Sequence, residues 1–432
     1  MITITNENTE LKEISDNHTS AKTSIEEEAM NILQSGSPID YIMKEYSRVH
    51  VGDKELGEFL LATIGCQLCA NTDGLQPDLS GESGKGKSDA CKAMGSLIPK
   101  EFFNKGSRSP MALFHMQGLK PGSVIFMDDV ESFSPKEESI LKNVTSQYQE
   151  SFDHSYTDMS KGGAKKGQTL SLPPRLTFWI TSVSSSFDSQ VLNRCIKLHV
   201  DESKEQDEAV FTRQKDAARK GSYRLTQTHE ILVCQAIIKH LKELEPVSIG
   251  IPFVDNIQWN DCANRRNFPM FCDVIRAFAA LNQYQRAWSS DDSLIANLDD
   301  FDRAAGLWST IDKAQSTGLT ANEQTVLSVI AASGNQGISQ SQLAIKCDMN
   351  KGSISRALHG IKQPDQTMKG GLLNKVDSLY YDETHGIFQY SGTLLSSETK
   401  VSLKDWDENV RSCTQLHQVA APCNTEKTII TA

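Results

Sequence analysis

Apolar positions along this chain change period several times. From IEEEAMNILQ to LLATIGCQLCA they recur at the three-to-four-residue spacing of helices packed on a core. Between GESGKGKS and about residue 200, short apolar runs such as VIFM and LTFWI alternate with helical stretches, the rhythm of a parallel sheet covered by helices. From DESKEQDEAVF to FAALNQYQRAW the pattern is almost wholly helical, and LTANEQTVLSVIAASG then opens a fresh helix after the polar SSDDSLIANLDDFDRAAG region. Residues 1–25 and the residues after about Thr393 are polar without a sustained period, so both ends are expected to be flexible. The pattern divides the chain into an α/β core over 26–200, a helical segment over 201–315, a C-terminal module over 318–392 and a tail over 393–432. No internal repeat is visible. One element fits poorly: LQPDLS, just before GESGKGKS, carries Pro77 and only two apolar residues, a weak strand by pattern.

Composition narrows the function classes. A chain of 432 residues has length for two to four domains and a buried core. Its net charge of −11 excludes a polybasic nucleic-acid coat, so any nucleic-acid contact must come from local basic clusters. No apolar run approaches the roughly 20 residues of a membrane span, and MITITNENTE has none of the character of a signal peptide, which points to a cytoplasmic protein with no membrane partner. Ten cysteines are scattered, with one CxxC at Cys66 and Cys69 inside a helix-like run. A second ligand pair at zinc spacing is missing, so buried reduced thiols are expected there rather than a metal.

GESGKGKS, residues 81–88, fits the phosphate-loop spacing. Backbone N–H groups from Gly81, Glu82, Ser83, Gly84, Lys85 and Gly86 would curl around a phosphate chain, Lys87 would reach its β and γ oxygens, and the Ser88 hydroxyl would ligate Mg²⁺. The helical stretch DACKAMGSL then brings a helix N-terminus to the same anion. The competing reading is a Gly/Ser/Lys surface loop.

About 40 residues on, PGSVIFMDDV reads as a buried strand delivering two acids at its end. Asp128 would hold Mg²⁺ and Asp129 would orient or deprotonate the attacking water, although its side chain is shorter than the glutamate many such enzymes use. The strand LTFWITS ends in Thr181 and Ser182, where a small polar side chain can reach a γ-phosphate or the water, or simply mark a hydrophilic turn. Arg194, just before the apolar run CIKLHV, is either a surface cation or a group reaching into a neighbouring subunit to stabilise transferring charge; order along the chain favours the second.

Taken in order, GESGKGKS, VIFMDD, FWITS, LNRCIKLHVDES and NRRNFPMFCDVIRAFAAL resemble the AAA+ ATPases, and within them the MCM-like replicative helicases carried by plasmids and other mobile elements; the resemblance spans roughly residues 45–395. It implies an ATP site formed by Lys87, Ser88, Asp128 and Asp129 with ATP and Mg²⁺, Thr181 as first sensor, Arg194 as trans-acting finger, and Arg265 or Arg266 as second sensor at the mouth of a helical lid, with Arg266 taken as the catalytic one. It also implies a homo-oligomer, a hexamer in this family. MCM-type proteins carry a basic β-hairpin after the acidic strand, and SQYQESFDHSYTDMSKGGAKKGQTLSLPPRL occupies that place, about residues 150–172, with Lys161, Lys165 and Lys166 expected at its tip on DNA. Residues 88–123 leave little room for the long insertion of cellular MCM proteins, and no large N-terminal DNA-encircling domain is visible, which favours a compact mobile-element form or a different AAA+ activity altogether.

The C-terminal module resembles a winged helix-turn-helix: three short helices, then the strand-like GLLNKVDSLYY and GIFQYSG. Its third helix is expected to expose Lys351, Ser353, Ser355, Arg356, His359 and Lys362 toward a DNA groove, with Leu343, Ile354 and Leu358 in its core. Two functions follow. One is an ATP-driven helicase replicating a mobile element on single-stranded or forked DNA, with a primase or initiator encoded nearby as partner. The other is a nucleotide switch that binds a specific origin or promoter without processive unwinding. Polymerase or primase chemistry has no separate acid or zinc cluster to host it.

Overall fold

The computed structural model describes residues 23–81, 84–105, 118–130, 132–158, 166–182, 194–201, 203–220, 227–259, 265–317, 319, 321–362, 368–369, 371–376, 378–391 and 401–403. A helix α1 over 23–35 begins slightly ahead of the boundary expected at residue 25, and α2 (Pro38–Val49) and α3 (Lys54–Cys66) follow. Ser37 caps α2 through the Asp40 N–H with Pro38 in its first turn, the combination that starts a helix without an orphaned donor.

Around these helices runs a five-stranded parallel sheet made of β1 (Gln76–Ser80), β2 (Phe103–Lys105), β3 (Val124–Met127), β6 (Thr177–Ser182) and β7 (Cys195–Leu198), in the spatial order β2-β3-β6-β1-β7. Between β3 and β6 lie helix α5 (Pro135–Ser146) and an antiparallel pair, β4 (Phe152–Asp158) with β5 (Lys166–Leu172). The Ser134/Glu137 capping box starts α5.

The weak strand before the phosphate loop does form, and a side chain explains how. Pro77 brings no N–H to the ladder, but the Gln76 amide acts as a peptide group: its Oε1 accepts from Phe178 N–H at 2.8 Å and its Nε2 donates to the Leu176 carbonyl at 3.2 Å. Strand β1 is therefore paired on both sides, with β6 and with β7.

One apolar cluster joins α1–α3, helix α4 (Lys87–Ser96), one face of the sheet, and the helices α7 (His229–Glu243), α8 (Asn267–Leu281) and α9 (Leu298–Thr317). The helical segment beyond residue 200 thus shares its core with the sheet. Helix α3 packs tightly on α8, where a Cβ on Gly65 would lie 2.4 Å from the Ala277 carbonyl oxygen. The helical run is interrupted by the short parallel pair Ile249–Gly250 with Leu294–Ile295, next to Pro246 and Pro252. The opposite sheet face packs Ile125, Met127, Phe178 and Ile180 against α5.

The C-terminal module has its own cluster. It contains α10 (Ala321–Ala332), α11 (Gln340–Lys346), α12 (Lys351–His359) and α13 (Leu372–Lys375), with an antiparallel pair β8 (Leu379–Asp382) and β9 (Ile387–Tyr390). Leu343, Ile354 and Leu358 are fully buried within it, as expected. Among the described residues no helix is long and apolar enough to cross a membrane.

Candidate functional site

The parallel register brings three strand ends together. Leu79 of β1 pairs with Thr181 of β6, and Met127 of β3 pairs with Ile180, so the phosphate loop, the acid pair and Thr181 emerge from one edge of the sheet. Such an edge is where open α/β sheets bind ligands.

At that edge the chain turns through Gly84 and Gly86, both in the left-handed region at φ 83° and 97°. A Cβ would meet nothing closer than 3.9 Å at either position, so glycine is required there by backbone conformation and not by space. Lys87 is buried and its Nζ donates to the Gly81 carbonyl at 2.7 Å, which holds the ammonium inside the curl of the loop. Glu82 and Ser83 lie outside the described residues. Lys85 is turned outward to Asp207 at 2.8 Å.

Asp128 is held by three donors. The hydroxyls of Ser88 and Thr181 both donate to its Oδ1, Thr181 at 2.9 Å, and Lys92 Nζ approaches Oδ2 at 3.0 Å. Burial pushes this carboxyl up, but the hydrogen bonds from Ser88, Lys92 and Thr181 outweigh it and hold Asp128 below its usual range, ionised at neutral pH. The Ser88 hydroxyl and an Asp128 carboxylate oxygen in contact form a hard-oxygen pair that could hold Mg²⁺, which would supply positive charge for a phosphate at this edge. Among the described residues no group of three His, Cys, Asp or Glu side chains could hold a metal by itself.

Asp129 takes a left-handed backbone at φ 54°, unusual for a non-glycine residue. Thr181 stabilises this turn by accepting the Asp129 N–H at 2.9 Å on Oγ1 and the Val130 N–H at 2.8 Å on its carbonyl. The Asp129 carboxylate is left exposed at the sheet edge. The Thr181 hydroxyl is therefore engaged by both acids, and the structure makes it an organiser of the acid turn.

Two features of this edge belong to none of the motifs above. Lys92 is one; it lies one helical turn beyond Ser88 on α4, a spacing that put it on the same face. The other is a cavity of 460 Å³ beside the loop, walled by Val49, His50, Val51 and Gly86 and by Arg213 and Gln214 of helix α6 (Lys204–Lys220). No motif announces it, because its walls come from three distant segments.

Arg194 stands at the other end of the sheet. It precedes Cys195, which pairs with Gln76, the first residue of β1, so about 16 Å of strand separates it from the phosphate loop. There Arg194, Arg265 and Arg266 line a cavity of 220 Å³ together with Asp73 and Asp273. Burial first, and the neighbouring Arg266 charge second, pull the Arg194 guanidinium below its usual range. Its Nε is buried without a partner among the described residues.

Residues 23–244 match the family described as MTBMA_p00010 P-loop domain, over half of the 432-residue chain. The chain belongs to the MTBMA_p00010 P-loop domain family. The matched region contains the phosphate loop, the acid strand and Thr181, so P-loop nucleotide chemistry has support from both geometry and descent. The chain is also similar to the uncharacterized protein MTBMA_p00010 of Methanothermobacter marburgensis, at 21% identity over 376 residues, covering 80% of this chain. It spans 45% of that relative's length.

The expected DNA-contacting residues divide. Lys166 makes the last pair of the β4–β5 ladder, opposite Asp158, and so stands at the start of the connection between the strands. Lys161 and Lys165 lie outside the described residues. On α12, Lys351 and Arg356 are exposed. Ser353 corrects the expectation: at 7% exposure it is buried, because the Asn350 cap that binds its N–H at 2.8 Å turns the first-turn position inward. Cys66 and Cys69 are free and fully buried, and burial raises both thiols, so they are inert core residues.

Proposed function

We propose that this chain is the subunit of an ATP-driven DNA helicase of the MCM-like AAA+ type, working in replication of a mobile genetic element. The observation that carries the reading is the split between the two sheet ends. Lys87, Ser88, Asp128 and Asp129 stand at one end and Arg194 with Arg266 at the other, too far apart to serve one phosphate within a single chain. Two chains arranged head to tail would complete each site, which favours a ring, a hexamer by the family resemblance.

In such a site Lys87 and the loop amides bind the β and γ phosphates of ATP. Ser88 and Asp128 hold Mg²⁺, which when bound neutralises phosphate charge. Thr181 fixes the acid turn so that Asp129 faces the attacking water and accepts its proton. Arg194 of one subunit, with Arg266 beside it, stabilises charge on the neighbour's γ-phosphoryl as it transfers. The β4–β5 pair, with Lys166 at the end of its ladder and Lys161 and Lys165 in the sequence that joins its strands, is the DNA-gripping element. Its contacts are phosphate-directed and salt-sensitive.

A second reading is a nucleotide switch without processive unwinding, acting as initiator or regulator. Helix α6, which walls the cavity beside the phosphate loop, also forms an ion pair from Lys204 to Asp348 at the turn before α12. That contact links the nucleotide cavity to the module bearing Lys351 and Arg356, read as a winged helix that binds duplex DNA, with the segment from 201 to 315 acting as lid. Unwinding of a labelled forked duplex with ATP and Mg²⁺ separates the two. The helicase reading expects displacement that is lost in a Lys165→Ala/Lys166→Ala variant, whereas sequence-selective duplex binding with no displacement would decide for the switch.

A further inference from the structure

Helix α2 ends at His50, whose N–H closes the helix on the Tyr46 carbonyl at 2.7 Å. The imidazole is buried between two carboxylates from different segments. Nε2 lies 2.8 Å from Asp53 and Nδ1 lies 2.9 Å from Asp89. Two acceptors on two ring nitrogens require both nitrogens to carry protons. Burial alone would lower the imidazole's pKa, but hydrogen bonds to Asp53 and Asp89 raise it to about 9.

Three parts of the nucleotide site meet at this ring. Asp89 is in the first turn of α4, two residues after Lys87. The ring Cε1 packs 3.9 Å from the position a Cβ on Gly86 would take, so the imidazole lies against the phosphate-loop backbone. Asp53 uses its second oxygen to accept the Asp201 N–H at 2.7 Å, which fastens the chain leaving β7. On either side of His50, Arg213 and Gln206 of α6 donate to the carbonyls of Val49 and Val51. The imidazolium is thus the joint between the 460 Å³ cavity and the loop.

We propose that His50 is a positioning residue of the nucleotide site, acting through Asp89 to hold the phosphate loop and the nucleoside-sized cavity in binding register. This rests on the P-loop reading and adds to it a residue that belongs to no phosphate-loop motif. Direct attraction of phosphate is a poor alternative, since a cation flanked by two carboxylates within 3 Å carries no net positive field. Its effect is on ground-state binding: a loop held in its bound form loses less freedom when nucleotide arrives.

The test uses Asp89→Ala, His50→Gln and the double variant in the full chain, titrated with fluorescent N-methylanthraniloyl-ADP and Mg²⁺ and assayed for ATP hydrolysis. Asp89 is largely exposed (73%), so Asp89→Ala removes the tie without opening the core. The inference expects each variant to bind about tenfold more weakly with kcat changed less than twofold, and the double variant to match the single ones, since both act through one tie. Wild-type affinity in Asp89→Ala, or additive losses in the double variant, would overturn it while leaving the P-loop reading intact. If wild type itself shows no binding that Lys87→Ala removes, both fall together.

Discussion

Arg194 and Arg266 share one cavity at the end of the sheet opposite Lys87. Burial first, and the Arg266 charge second, disfavour the Arg194 cation in this pocket, and an anion brought by another chain would offset both. Arg194→Ala is therefore expected to lower ATP turnover by about 10³-fold with nucleotide affinity retained. Mixing Arg194→Ala with Lys87→Ala chains should restore measurable turnover, because mixed assemblies contain some interfaces with an intact loop facing an intact arginine. Absence of any recovery in a mixture shown to co-assemble would mean that the site is complete within one chain.

Thr181 holds both acids through a single hydroxyl. Thr181→Val keeps the shape and removes that hydroxyl, leaving the left-handed Asp129 turn without its N–H acceptor. The expected result is a kcat lower by about 10- to 100-fold, roughly 1.4–2.7 kcal/mol, with little change in KM. Steady-state kinetics beside Thr181→Ser, which restores the hydroxyl, check this.

Asp78 sits inside β1 at 1% exposure, and neither carboxylate oxygen has a partner among the described residues. Burial raises its pKa from 3.8 to about 7, partly offset by the Lys197 charge. A raised folded-state pKa gives stability that is full below the unfolded value and is lost as pH rises through the folded one. Asp78→Asn should consequently be more stable than wild type at pH 8, by up to about 4 kcal/mol and with a higher Tm, and lose that advantage near pH 4. Melting curves across that range that showed a gap independent of pH would mean that Asp78 does not titrate in the folded chain.

Gly65 lies where α3 meets the α8 backbone. Gly65→Ala forces the two helices apart and is expected to cost about 1–3 kcal/mol, read as a lower urea midpoint with an unchanged m-value.

The gathering of the phosphate loop and the acid pair at one sheet edge was legible because these parts are local in sequence and demanding in type: glycines at left-handed turns, Lys87 and Ser88 at fixed spacing, and two acids after VIFM. Strand β1 was not, since its pairing depends on the Gln76 amide replacing what Pro77 cannot offer, a relation visible only beside Leu176 and Phe178. His50 was hidden for a similar reason, as its two carboxylate partners lie three and 39 residues away. Ser353 was misread because a polar residue in a basic helix looks exposed until the Asn350 cap fixes which way the first turn faces.

A helicase must couple nucleotide hydrolysis to DNA. Steady-state ATP turnover by the full chain is therefore measured with and without single-stranded DNA, with Lys87→Ala as the control for contaminating activity. Turnover should rise several-fold with DNA and disappear in Lys87→Ala. Turnover that ignores DNA would rule out the helicase, and turnover that survives the loss of Lys87 would rule out the phosphate-loop site.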